Sequence, residues 1–125
     1  MQVLLIGHNE RIKEALSSLL HNEHKVAITI FPILRNEENL EEFDCLVKWS
    51  EVVILDVSTV GINHEKCIQE IFSLNRSSRI IVVNDYAYDD VENIYLSMGA
   101  DAYLSYTDLN EQVKDLICYI DKKPF

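Results

Sequence analysis

Short apolar runs alternate along this chain with longer segments of helical period. The runs are VLLI at 3–6, VAITIF at 26–31, VVIL at 52–55, RIIVV at 79–83 and the pair Tyr103–Leu104. The segments between them repeat apolar residues every three or four positions, as one side of a helix requires. Strands that alternate with helices in this way are typical of a parallel sheet covered by helices on both faces. We therefore predict an α/β fold with a doubly wound, five-stranded parallel sheet.

The segments between the apolar runs predict five helices. They cover 12–20, 36–49, 64–74, 89–98 and 108–120. In the third helix we expect Ile68, Ile71 and Phe72 to face the sheet, and in the fourth Val91, Ile94, Tyr95 and Met98. Gly99 follows the fourth helix and is a usual residue at a helix C-terminus.

Length and charge limit the classes of function. The 125 residues, 48% of them hydrophobic, predict one domain over 1–125. The 21 acidic and 11 basic residues give a net charge of -10, which repels phosphate backbones and anionic membranes. Three cysteines without a CxxC spacing indicate a reducing compartment, and no apolar run approaches the ~18 residues of a membrane span. We expect a cytoplasmic, soluble protein that contacts neither nucleic acid nor membrane directly.

The loops that follow parallel strands gather at one edge of the sheet, where function is expected. Asp56 ends the strand VVIL and would lie at this edge. A carboxylate there could be a nucleophile, a metal ligand, a helix cap or a residue left from lost chemistry.

Two segments resemble the receiver domain of two-component response regulators. VVILDVSTVG at 52–61 is similar to the strand of that family that ends in the phosphoacceptor Asp. GADAYLSYTDLNEQV at 99–113 is similar to its Gly-Ala-x-x-Tyr-Leu-x-Lys segment and the following helix. The resemblance implies a flavodoxin-like fold of five βα units with sheet order 2-1-3-4-5. It also implies a receiver-like domain over 1–125, either complete or as the N-terminal part of a longer response regulator.

The resemblance makes Asp56 the phosphoacceptor position, but the residues around it differ from the family. The acidic pair that holds Mg²⁺ falls on Gly7 and His8, the Ser/Thr position on Asn84 and the Lys position on Tyr106. Mg²⁺ prefers oxygen ligands, and phosphoryl transfer requires cations and donors around the phosphoryl oxygens. We therefore expect a pseudo-receiver with a degenerate pocket, no bound metal or cofactor and no enzymatic activity.

Three interpretations of Asp56 stay open at this point. The carboxylate could hydrogen-bond loop groups near Ser58 and Thr59. It could pair with His8 or Tyr106, since an imidazole beside a carboxylate has a raised pKa. It could still be phosphorylated with the help of an unusual metal or pocket.

The tyrosines suggest how such a domain would act. Tyr103 falls on the family's aromatic switch position, or it is an ordinary strand tyrosine with a half-packed ring. Aromatic residues are enriched at interfaces, and the candidates are Tyr86, Tyr88, Tyr95 and Tyr119. We expect homodimerisation through the face formed by the fourth helix, the fifth strand and the last helix.

The expected function is a signalling interaction module. Its partners would be a second copy, a histidine kinase or an effector domain, with a DNA-binding effector outside this chain that controls transcription. A flavodoxin-like cofactor or nucleotide binder ranks last, because GHNER at 7–11 offers one glycine and no hydroxyl for a phosphate loop.

Overall fold

The computed structural model describes residues 2–7, 10, 13–14, 27–31, 38–58, 64–84 and 89–105. Its strands are β1 (Gln2–Ile6), β2 (Ala27–Phe31), β3 (Val52–Asp56), β4 (Arg79–Asn84) and β5 (Ala102–Ser105). Its helices are α1 (Leu40–Trp49), α2 (His64–Leu74) and α3 (Asp89–Ser97). Lys13 and Glu14 are helical, but the rest of the first predicted helix and all of the last one lie outside the described residues.

The strands form one parallel sheet in the order β2-β1-β3-β4-β5. This confirms the predicted fold class and strand order. Since β1 pairs with both β2 and β3, the direction of the strand order reverses between β1 and β3. Ligand sites of open α/β sheets lie beyond the carboxyl ends of the strands at such a point.

The three central strands are buried on both faces, as their continuous apolar runs predict. Every residue of β3 is buried, and so are residues 3–6 of β1 and 80–84 of β4. The edge strand β2 is more exposed, with Ile30 at 38%. The ring of Phe31 in β2 meets Phe43 of α1 edge to face, with centroids 5.6 Å apart.

Helix α1 starts later than the predicted 36–49. Glu38 and Asn39 form a turn, and the helix begins at Leu40 with Glu41 and Glu42 in its first turn. Asparagine favours turns and helix caps over helix interiors, which explains the later start. Residues 36 and 37 lie outside the described residues.

Gly99 caps the C-terminus of helix α3, as predicted. Gly99 has φ +114°, Ala100 N–H donates to Tyr95 O at 3.2 Å, and Gly99 N–H donates to Leu96 O at 3.1 Å. These two bonds form a Schellman motif, which satisfies the last carbonyls of a helix and places the residue after it in a left-handed conformation.

Two residues predicted to face the sheet are exposed instead. Phe72 of α2 is 52% exposed and Ile94 of α3 is 54% exposed. Each lies at the border of its helix's apolar stripe, and the positions nearer the centre of the stripe take the contact with the sheet. In the described ranges, no helix is long and apolar enough to cross a membrane.

Candidate functional site

The carboxyl ends of four strands bring small and polar residues to one edge of the sheet. Gly7 follows β1, Asp56 ends β3, Asn84 ends β4 and Ser105 ends β5. In the parallel register, Asp56 pairs with Val83 and Asn84 pairs with Ser105. The structure therefore brings the described members of the predicted pocket to the edge where the sequence predicts them.

Asp56 is completely buried, at 0% exposure. Its Oδ1 accepts a hydrogen bond from the Ser58 hydroxyl at 2.8 Å and one from the Ser58 backbone N–H at 3.3 Å. A buried carboxylate is costly unless donors replace its water. Ser58 supplies two such donors, and its hydrogen bond to Asp56 agrees with the first interpretation of this carboxylate.

Gly7 is buried beside this site, and its backbone has φ +145°. L-residues with a side chain rarely adopt this conformation, whereas glycine adopts it readily. The Gly7 N–H also donates to Phe31 O at 2.9 Å, which fixes the end of β1 against β2. An acidic residue at this position would therefore strain the backbone observed here.

Asn84 and Ser105 complete the described part of the site. Both are buried, at 8% and 3% exposure, and neither carries a charge. The sequence predicts that the loop after the fifth strand begins at Ser105 on this edge, although no motif gives the serine a role. The structure places Ser105 at the end of β5, in register with Asn84.

Comparison with solved structures yields receiver domains over nearly the whole chain. The BeF3-activated N-terminal receiver domain of RstA from Klebsiella pneumoniae has a TM-score of 0.74 and 14% identity, covering 98% of this chain and 100% of that one. The chain has the fold of response regulator receiver domains. No protein-family model matches the sequence, and neither does any curated protein.

Two further receiver folds extend this likeness. A response regulator from Burkholderia pseudomallei, solved with a phosphorylated aspartic acid and a calcium ion, has a TM-score of 0.66 and 19% identity, covering 97% of this chain and 72% of that one. A DNA-binding response regulator of the LuxR family from Staphylococcus aureus has a TM-score of 0.69 and 16% identity, covering 97% and 98%. At these identities the likeness establishes the fold.

The described strand ends do not fit the Mg²⁺ that the receiver fold implies. Among Gly7, Asp56, Asn84 and Ser105, only Asp56 is a carboxylate, and its Oδ1 already accepts two hydrogen bonds. Mg²⁺ requires a nearly octahedral set of oxygen ligands. In the part of the chain that the structure describes, no group of three or more His, Cys, Asp and Glu residues could hold a metal ion.

Several predicted site residues lie outside the described residues. They are His8 and Tyr106 of the pocket and Tyr86, Tyr88 and Tyr119 of the predicted interface. The pairing of Asp56 with His8 or Tyr106 therefore stays a prediction.

Tyr103, which the sequence resemblance predicts to be a switch residue, is partly buried and packs on the core. Its ring stacks on Tyr95 with centroids 5.7 Å apart and an interplanar angle of 20°. The Tyr95 hydroxyl lies 3.1 Å from Nδ1 of His64, at the start of α2. The ring of Tyr103 is therefore partly packed, and its role as a switch stays a prediction.

The exposed large apolar residues of α3 do not include its tyrosine, which the sequence predicted to be an interface residue. Ile94 is 54% exposed and Leu96 is 38% exposed, whereas Tyr95 between them is partly buried against the core. The sequence suggests Tyr95 as an interface residue because aromatic residues are enriched at interfaces. The exposed apolar residues of α3 are instead the aliphatic Ile94 and Leu96.

Proposed function

We propose that this domain acts in signal transduction as a protein interaction module that does not depend on phosphorylation of Asp56. The observation that carries the proposal is the environment of Asp56, a buried carboxylate hydrogen-bonded by Ser58 and surrounded by neutral strand ends. Phosphoryl transfer to this oxygen would add negative charge at a sheet edge where the neighbouring strand ends, Asn84 and Ser105, are neutral. On this proposal the domain has no catalytic activity and needs no cofactor.

The interaction surface that we propose is the side of α3 that carries Ile94. Ile94 is a large apolar residue that is 54% exposed, and burial of such a group between two proteins is favourable. The acidic first turn, with Asp89, Asp90 and Glu92, borders this surface. We infer that a second copy of the domain binds here and that the last predicted helix, 108–120, contributes to the same face.

The protein that this domain controls would be an effector domain. The similar protein from Staphylococcus aureus is a DNA-binding response regulator, which supports a DNA-binding effector for this domain as well. The net charge of -10 disfavours DNA contact by the domain itself. The effector would therefore lie outside this chain, and a histidine kinase is a further protein partner.

Phosphodonor treatment tests the first half of this proposal. The protein is incubated with acetyl phosphate and Mg²⁺, and its intact mass is measured beside that of Asp56→Asn. We expect no phosphoryl increment in either protein. The alternative function, a receiver phosphorylated on Asp56 through an unusual metal or pocket, predicts an increment in the parent that disappears in Asp56→Asn. That result would overturn the proposal.

Sedimentation equilibrium tests the second half with a matched pair of variants. Ile94→Asp and Asn93→Asp introduce the same charge at adjacent, exposed positions of α3. If Ile94 is buried between two copies, Ile94→Asp should weaken dimerisation at least about tenfold, whereas Asn93→Asp should leave it nearly unchanged. A parent that stays monomeric at high concentration, or equal effects of the two substitutions, would exclude this surface.

A further inference from the structure

A groove that is open to solvent lies between α2 and the end of α3. Its volume is about 460 Å³, and its described lining consists of Ile68, Gln69, Phe72, Ser73, Met98 and Gly99. Small-molecule sites in proteins commonly measure roughly 300–1,000 Å³ and combine apolar walls with a few polar groups. This groove has that composition, and none of its described lining residues belongs to the strand ends around Asp56.

The apolar part of the groove is only partly covered. Ile68 is 1% exposed and forms the floor, whereas the Phe72 ring is 52% exposed. Gly99 lies beside this floor, and a Cβ added to it would be 3.6 Å from Ile68 Cγ2, so the missing side chain leaves this space open. A ligand with a flat apolar body would cover Ile68 and Phe72, and the burial of apolar surface would favour its binding.

A guanidinium adjoins the Phe72 wall of the groove. The Arg76 Cζ lies over the Phe72 ring, 5.7 Å from its centroid. Lys66 of α2 is paired with Glu70 at 3.9 Å, whereas among the described residues no acidic side chain pairs with Arg76. Stacking on an aromatic ring leaves the N–H donors at the edge of a guanidinium available to an anion. The groove therefore has an apolar wall with a cation beside it.

The charge of the chain limits which anion fits. The net charge is -10, so an anion is held only where a local cation offsets this repulsion. Arg76 offers a single positive charge, which matches a monoanion, whereas a phosphate monoester would bring further negative charge without a partner. A carboxylate also matches the fork of a guanidinium with parallel hydrogen bonds.

We propose that this groove binds a small ligand with a flat apolar body and a single carboxylate. The body lies against Ile68 and Phe72, and the carboxylate accepts hydrogen bonds from the Arg76 guanidinium. Such a ligand bridges α2 and the end of α3. The site goes beyond the proposed interaction function, since it depends neither on the state of Asp56 nor on the surface around Ile94.

Titration of the isotope-labelled chain, followed by its amide resonances, tests the site with three naphthalene probes. Naphthoate carries a carboxylate, naphthalenemethanol a neutral hydroxyl and naphthyl phosphate a phosphate monoester. Naphthoate should shift the amides of Gln69, Ser73 and Gly99 saturably and bind about three- to tenfold more tightly than naphthalenemethanol. Naphthyl phosphate should bind no more tightly than naphthoate. Absence of saturable shifts, equal affinity of naphthoate and naphthalenemethanol, or tighter binding of naphthyl phosphate would overturn the proposal.

A matched pair of variants tests the cation. Arg76→Gln and Lys66→Gln each remove one positive charge from an exposed position in α2 or just beyond it. Arg76→Gln should weaken naphthoate binding about three- to tenfold and change naphthalenemethanol binding less than about twofold. Lys66→Gln should change the binding of either probe less than about twofold. Equal losses in the two variants would mean that overall charge, and not Arg76, holds the carboxylate.

A second pair tests the apolar wall. Phe72→Ala and Trp49→Ala each remove an aromatic ring that is about half exposed, but Trp49 is not among the described lining residues. Phe72→Ala should weaken the binding of naphthoate and naphthalenemethanol at least about threefold, and Trp49→Ala should leave both unchanged. The same loss in both variants would mean that the probes bind exposed rings without using the groove. The comparison of the three probes on the parent needs no variant, so it tests the site even where a substitution disturbs folding.

Discussion

Helices α2 and α3 are of similar length and pack against the same core, yet they are attached in different ways. Helix α2 buries Cys67, Ile68 and Ile71 completely or nearly so, and the core accepts them as a continuous stripe. Helix α3 buries no residue and leaves Ile94 more than half exposed. One helix therefore stabilises the domain, whereas the other is available for contacts with another protein.

The ends of the two helices show the same contrast. Asn75, just after α2, donates from its side-chain amide to Val47 O at 3.1 Å and to Ser50 O at 2.9 Å, which ties α2 to the end of α1. The end of α3 is closed by backbone bonds around Gly99. Tertiary contacts hold both the buried face and the C-terminal end of α2, whereas local backbone hydrogen bonds hold the C-terminal end of α3.

The largest difference is expected from truncation of one isoleucine in each helix. Ile71→Ala, at 0% exposure, should lower the free energy of unfolding by about 2–5 kcal/mol because it leaves a cavity. Ile94→Ala removes the same atoms from an exposed position and should change it by about 0.5 kcal/mol or less. Urea denaturation of both variants measures the difference, and similar losses would mean that α3 is as much part of the core as α2.

The reactivity of Cys67, compared with that of Cys45, tests how firmly the inward side of α2 packs on the core. Burial, with a smaller effect of Glu70, raises the pKa of Cys67 from 9.0 to about 12, which lowers its thiolate fraction near pH 8 about a thousandfold. Cys45 on α1 is exposed. In a Cys118→Ser background, a thiol reagent should modify Cys45 while Cys67 stays protected until the chain unfolds. Equal rates would show that α2 opens readily.

The same raised pKa predicts how stability depends on pH. Below about pH 9 the Cys67 thiol is protonated in both the folded and the unfolded chain, so it has no effect. Between about pH 9 and 12 the unfolded chain releases this proton and the folded chain keeps it, so the free energy of unfolding falls as pH rises. Between pH 8 and 11, the free energy of unfolding obtained from denaturation curves should decrease less with rising pH in Cys67→Ala than in the parent.

A substitution at the end of α3 should lower the free energy of unfolding without causing a steric clash. At Gly99 a Cβ would meet Ile68 Cγ2 at 3.6 Å, an ordinary contact, but φ is +114°. Gly99→Ala should therefore cost about 1–2 kcal/mol through backbone conformation alone. Ser97→Ala, at an exposed position of the same helix, is the control. No loss of stability in Gly99→Ala would mean that the helix end rearranges without cost.

The comparison also shows which features the sequence could predict. The central strands, the strand order, the Gly99 cap and the position of Asp56 followed from uninterrupted apolar runs, a turn residue and a resemblance in motif. The exposure of Ile94 and Phe72 did not, because helical period defines the centre of an apolar stripe and not its width. The contact of His64 with Tyr95 joins residues 31 positions apart, so it depends on tertiary structure that no local pattern encodes.

The smallest expected effect concerns the outward side of α2. Phe72 is 52% exposed, and the Arg76 guanidinium lies over its ring, 5.7 Å from Cζ to the centroid. At an exposed site such a cation–π contact contributes about 0.5–1 kcal/mol. A double-mutant cycle with Arg76→Ala and Phe72→Leu isolates this contribution from the loss of apolar area, because the effects of the two changes should be less than additive. Strict additivity would mean that the guanidinium covers the ring without stabilising the domain.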